Sequence, residues 1–266
     1  MIQLGINSVL FKEFDFETAA RHIKAAGYDG VELSAIKGMC EHLELDRWEE
    51  QAPDIRRIAE ENGLKLLSME VAALDEGRLR PAFAAAAALG IPVVNVGPGG
   101  KSDVEEDLAA TLDKLTRMAE LAGEHGVTLC VKAHVGGSIY NTPTTLRAIE
   151  AIANPAFGID MDPSHIYRAN ENPEEALPQV IGRVRHIHIR DCRGRQAGPG
   201  PIELQACGRG DIDLIGYCKV LADNGYDGPV CLEVIGAGGH SLAQVSIVAA
   251  ESYGYLNAVL KSLGAR

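Results

Sequence analysis

The 266-residue chain contains no apolar run near the roughly 18 residues that a membrane-spanning helix needs, so no membrane partner is expected. Its start, Met1-Ile2-Gln3-Leu4-Gly5-Ile6, lacks the basic opening and small-residue cleavage site of a secretory signal and begins directly on a strand. No C-x-x-C pair occurs. The six cysteines, Cys40, Cys130, Cys192, Cys207, Cys218 and Cys231, are scattered, and a chain this long needs no disulfide staples. They read as reduced thiols of a cytoplasmic protein, with Cys130 and Cys231 set to point into a barrel. Basic residues are in short supply, 25 Lys and Arg against 37 Asp and Glu, for a formal net charge of −12. Such a surface repels phosphate backbones, which argues against nucleic acid as a partner, and solubility is the plain use of the acidity. Gly97-Pro98-Gly99-Gly100 lacks the lysine and serine of a P-loop and reads as an ordinary loop.

What is present is a repeated pattern of strand and helix. Arg185-His186-Ile187-His188-Ile189-Arg190-Asp191 alternates polar and apolar residues with a period of two, so the isoleucines share one face of a strand and the imidazoles the other. Phe157-Gly158-Ile159-Asp160-Met161-Asp162 does the same and delivers Asp162 at its end, with His165 just beyond. Val230-Cys231-Leu232-Glu233-Val234 ends a third strand in Glu233. Carboxylate, imidazole and carboxylate at three strand ends converge only if the strands lie side by side with level ends. A parallel barrel does this, and a divalent ion such as Mn, Co, Ni, Zn or Mg accepts the mixed oxygen and nitrogen set.

Eight such pairs follow in order. The strands begin at Ile2, Gly30, Lys65, Ile91, Val127, Gly158, the two-histidine stretch and the run ending in Glu233. The helices run from about Phe16 to Ala26, Arg47 to Asn62, Arg80 to Leu89, Val104 to His125, Thr142 to Ile152, from Pro173, through Leu221, and from Ser241 to Leu263. Thr142-Pro143 supplies an N-cap and a proline at the first helical position. Pairs of about 33 residues fit a single (β/α)8 barrel, an α/β fold in one domain over residues 1–266. Gly27-Tyr28-Asp29-Gly30 recurs as Gly225-Tyr226-Asp227-Gly228 before a strand, an echo that fits helix ends of positive φ. Active sites of such barrels lie at the C-terminal strand ends, where Asn7, Glu32, Glu70, Lys132, His134, Asp162, His165, His188 and Glu233 gather.

G-Y-D-G-V-E-L after the first helix, M-D-P-S-H, H-I-H-I-R-D, G-R-G-D-I-D and L-E-V together resemble the xylose isomerase-like TIM barrels. That superfamily holds sugar isomerases and epimerases, hydroxypyruvate isomerases, inosose and dehydroshikimate dehydratases, and AP endonucleases. The resemblance implies one divalent metal held by Asp162, His188 and Glu233, with His165 on a substrate oxygen. It further implies a small sugar, polyol or keto acid as substrate and a homodimer or homotetramer. Glu32, Asn7 and, among the arginines after strand seven, Arg193 are the remaining substrate-side candidates. Trp48 and the Met39-Cys40 loop are candidates for covering the substrate. The nuclease branch needs further histidines, and residues 192–213 contain none.

One position departs from the pattern. Relatives commonly carry Glu-x-His on strand five, and this chain reads Lys132-Ala133-His134. Either the metal remains, weakened, with Lys132 or His134 carrying protons; or the ammonium stands in the metal's space; or Lys132 forms a Schiff base. The leading expectation is an isomerase or epimerase in which Glu233, Lys132 and His134 work on an enediolate that the metal stabilises. A dehydratase on the same site is the alternative, and a metal-free binding or Schiff-base barrel the other.

Overall fold

The computed structural model describes residues 1–195 and 198–266. Eight strands, β1 Gln3–Asn7, β2 Gly30–Ile36, β3 Lys65–Ala72, β4 Val93–Val96, β5 Thr128–Lys132, β6 Phe157–Met161, β7 Val184–Ile189 and β8 Pro229–Leu232, each pair in parallel with the next. The ends meet: Gly5 of β1 stands opposite Gly30 of β2 and Cys231 of β8, which closes the sheet into a (β/α)8 barrel. Cys40–Glu41 adds a short antiparallel pairing to the end of β2. No helix among the described residues is long and apolar enough to cross a membrane.

The helices form where apolar periodicity and capping agree. Phe16–Ala26 starts on the Asp15 side chain, which accepts from the Thr18 N–H, and stops at Gly27 with φ 110°. A left-handed residue there is cheap only for glycine. Three expectations need correction. The third helix begins at Glu76 rather than Arg80, because the Asp75 side chain accepts from the Arg78 N–H and adds a turn. The helix Thr142–Ala151 is capped by Asn141, not Thr142: Asn141 accepts from the Thr144 N–H and Thr144 answers through its hydroxyl. The sixth strand runs straight into a short helix, Pro163–Arg168, whose N-cap is Asp162.

The outward faces of the strands and the inward faces of the helices form one hydrophobic core that includes Leu4, Ile6, Ile159, Ile187, Ile189 and Leu232. The barrel interior is different. Such interiors are usually filled by branched apolar side chains, and here the filling is polar. Ser68 Oγ lies 2.9 Å from His186 Nε2 and 3.9 Å from Cys231 Sγ. Above them come Glu32, Asn95, Asp160 and His188, and then Asn7, Glu70, Lys132 and Glu233, every one of them buried. All six cysteines are free and buried.

Candidate active site

Strand periodicity builds the site. Residues two apart on β7 aim His186 and His188 into the barrel, and Arg190 follows just past its end; β6 does the same with Asp160 and then Asp162. Lys132, the last residue of β5, is only 4% exposed. Its Nζ donates to Glu233 Oε1 at 2.8 Å and to Glu70 Oε1 at 3.1 Å, and lies 3.2 Å from His188 Nδ1. Burial pushes this amine toward neutrality, but Glu233 and Glu70 outweigh it and hold the pKa above the ordinary lysine value. Lys132 is a fixed ammonium.

The two carboxyls beside it are pushed apart. Glu233 is buried, yet Lys132, His188 and Arg190 hold it well below the usual carboxylate range. For Glu70, burial and the adjacent Glu233 charge outweigh Lys132 and raise the pKa to about 7. One group is thus a standing carboxylate and the other exchanges protons near neutrality.

Beneath them lies a hydrogen-bonded floor. Asn7 donates to Glu32 Oε2 at 2.9 Å and Glu70 Oε2 at 2.5 Å, and Asn95 donates to Glu32 Oε1 at 2.6 Å. His188 turns Nε2 to Glu32 and Nδ1 to Asp160 Oδ2 at 2.5 Å. Burial opposes a charged ring, but Asp160 and Glu32 outweigh it and raise the His188 pKa well above normal. Asp160 also accepts from His186 Nδ1 and the His188 N–H, both at 2.9 Å.

Arg190, the first residue past β7, is buried beside the carboxylates. Its Nη2 lies 3.2 Å from Asp162 Oδ2, its Nη1 3.3 Å from Glu233 Oε2, and its Nε donates to Ser164 Oγ at 2.8 Å. His165 stands next to it, with Nε2 2.9 Å from Arg190 Nη2. Burial and Arg190 keep His165 far below the normal imidazole pKa, so the ring is neutral. His134 packs against it with centroids 4.1 Å apart and the rings tilted by 37°, and is exposed at the mouth.

Above the floor opens a cavity of about 570 Å³ lined by Glu70, Lys132, His134, His165, Arg168, Arg190 and Glu233, with Met39 and the 97–100 and 135–137 loops around it. The sequence-derived candidates divide here. Glu233, Lys132, His134 and His165 line the cavity. Glu32 and Asn7 are not among its lining residues; both are fully buried and hydrogen-bonded in the floor. Arg193 also lies outside it, exposed and turned back so that its Nε donates to the Arg209 carbonyl. Trp48 packs against the hydrophobic core and Cys40 sits in a small cluster with Val9 and Ile36, so of the suggested cover only Met39 reaches the cavity. Asp160, His186 and Arg168 went unassigned. The first two were legible as the positions two before Asp162 and His188, and the third as one helical turn beyond His165.

Two groups of ligand-type side chains bring donor atoms within 4.8 Å of one another: Glu32, His186 and His188, and Glu70, His188 and Glu233. Asp162 belongs to neither and faces Arg190. The donors are those a divalent ion takes. The arrangement does not suit one, because Lys132 Nζ already lies on all three members of the upper group. In the lower group His188 is committed to Glu32, and His186 to Asp160 and Ser68.

Residues 20–251 match the family model described as xylose isomerase-like TIM barrel. The chain belongs to that family. Among curated relatives, an inosose dehydratase of Clostridium perfringens (strain 13 / Type A) is 26% identical over 141 residues, covering 48% of each chain. The inosose dehydratase of Geobacillus thermodenitrificans (strain NG80-2) is 29% identical over 136 residues, 47% of this chain and 46% of the relative. The chain thus matches about half the length of these relatives. Among solved structures, the IOLI protein with a bound zinc atom superposes with a TM-score of 0.80 at 19% identity, covering 98% of this chain and 99% of that one. A D-tagatose 3-epimerase-like protein gives 0.79 at 18% identity, covering 99% and 98%. The probable 3-DHS dehydratase AsbF of Bacillus anthracis gives 0.77 at 14%, covering 96% and 99%. At these identities the structures speak for the fold.

Proposed function

We propose that the chain is a dehydratase of polyhydroxylated ketones of the inosose type, working by proton removal beside a carbonyl. The observation that carries this reading is the Lys132 ammonium held between Glu233 and Glu70 on the cavity floor. A ketone oxygen directed at Nζ would gain negative charge as the neighbouring C–H is broken, and a fixed cation in a buried site stabilises that charge. Glu233, ionised, takes the proton. Glu70, protonated part of the time at neutral pH, gives its proton to the β-hydroxyl; the C–O bond breaks, water leaves, and an unsaturated ketone remains. Two carboxyls with separated pKa values are the usual mark of a base and an acid working together. The inosose dehydratase relatives support the same choice.

Isomerisation or epimerisation is the second reading, favoured by the second carboxyl, Glu70, which can return the proton to a neighbouring carbon or to the opposite face. Incubation with an inosose in deuterated water tests both. Deuterium beside the carbonyl together with an absorbing unsaturated ketone is the expected result. Deuterium with only isomeric inososes would favour the second reading, and no exchange at all would remove both.

The rate of water loss is expected to depend on Glu70. The group faces Lys132, Glu233, His188, Glu32 and Asn7, and its pKa of about 7 lies above the ordinary carboxyl value. It is protonated below about pH 7 and ionised above, so turnover should fall as pH rises through neutrality. A profile flat from about pH 6 to about pH 8.5 would contradict Glu70 as the acid.

A further inference from the structure

Lys132 and Arg190 each have carboxylate partners: Glu70 and Glu233 for the lysine, Asp162 and Glu233 for the arginine. The third cation of the cavity has none. Arg168 sits at the end of the short helix Pro163–Arg168, half-buried, and lines the same space. Its Nε donates to the Ser164 carbonyl at 3.2 Å and its Nη2 lies 2.9 Å from His165 Nδ1. No carboxylate lies within ion-pair distance of it among the described residues, although the chain as a whole carries an excess of 12 negative charges.

His165 fixes this guanidinium in place. The Val135 N–H donates to the same Nδ1 at 3.2 Å, so this ring nitrogen acts as an acceptor. Burial and the Arg190 charge lower the Arg168 pKa from the ordinary guanidinium value, as expected for a cation short of a counterion. A guanidinium oriented by one acceptor, with donors left over and facing a cavity, suits the two oxygens of an oxyanion.

We propose that Arg168 binds an anionic group of the substrate, a carboxylate or a phosphate monoester, and that the preferred ligand is an acidic polyhydroxy ketone rather than a neutral one. This rests on reading the cavity as the substrate site, and it moves the preferred substrate from a neutral ketone such as an inosose to an acidic one. The carbonyl end would lie at Lys132 and the anionic end at Arg168, with His165 and Arg190 between them. Arg195, by contrast, stacks on Tyr167 and donates to the Tyr167 and Glu171 carbonyls, so it holds the loop and not the ligand.

The test is calorimetric binding of three probes, D-fructose, 5-keto-D-gluconate and D-fructose 6-phosphate, to the native protein and to Arg168→Gln and Arg168→Lys. At least one anionic probe should bind about tenfold to a hundredfold tighter than fructose, the range of a charge-assisted hydrogen bond. Arg168→Gln should remove that preference, read as the ratio of anionic to fructose affinity within each protein, while Arg168→Lys should keep part of it. A tighter keto acid assigns a carboxylate, and a tighter sugar phosphate assigns a phosphate monoester. Equal affinity for all three probes, a preference that survives Arg168→Gln, or no anion binding at millimolar concentration overturns the proposal. Deuterium exchange run in parallel separates the two ideas. Exchange on fructose without anion preference removes the anionic subsite alone, and Arg168-dependent binding without exchange on any probe removes the reaction alone.

Discussion

Lys132→Met should slow proton exchange beside the substrate carbonyl by a factor on the order of 10² to 10³, the range seen when one preorganised charge-stabilising donor is removed. Methionine keeps the length and apolar stem of lysine but takes away the ammonium that lies 2.8 Å from Glu233 and 3.1 Å from Glu70. The two carboxyls then face each other with less to separate them, and one would take up a proton in place of the lost cation. The variant should therefore fold, which far-ultraviolet dichroism checks. Borohydride reduction of the native protein with substrate should trap no adduct, because a charged amine is not a nucleophile. Exchange within about threefold of native would show that another group receives the charge.

Asp160→Ala is expected to produce the largest loss of stability. The carboxylate is fully buried and serves two imidazoles: Oδ1 accepts from His186 Nδ1 and from the His188 N–H, and Oδ2 lies 2.5 Å from His188 Nδ1. Removing one member of a buried charged pair typically costs about 3–5 kcal/mol, because the partner is left without compensation. For a chain of this size that corresponds to a fall in Tm of roughly 10 °C. Calorimetry of the variant checks it. A fall of only a degree or two would mean that the floor is not a stability element and that water can replace the carboxylate.

The fold was legible because the barrel's outer faces obey simple periodicity. Ile187 and Ile189 alternate with His186 and His188, and the closed sheet sets the isoleucines in the hydrophobic core and the imidazoles inside. The order of depth was not legible. Strand alternation assigns Glu32, Asn7, Glu70 and Glu233 to one interior, but register across the barrel decides which lie under the cavity and which line it. Glu32 is a buried acceptor for His188, Asn7 and Asn95, beneath the cavity. The burial of Arg190 was not legible for a related reason. The residue follows β7, where a loop arginine is ordinarily solvated, and only the neighbouring Asp162 and Glu233 make burial tolerable. Lys132 was noticed as a departure from the family pattern, but its placement against Glu70, Glu233 and His188 was not legible from the sequence.

The account turns on Lys132 standing at the strand-five position where the family resemblance implies a carboxylate. Metal analysis of the purified, unchelated protein, with proton exchange assayed before and after chelation, tests this most directly when Lys132→Glu is run beside it. The account predicts far less than one equivalent of metal in the native protein, exchange that survives chelation, and a divalent ion taken up by the variant once a carboxylate replaces the ammonium. About one equivalent of Mn, Co, Ni, Zn or Mg in the native protein, with exchange lost on chelation, would contradict it and return the carbonyl chemistry to a metal.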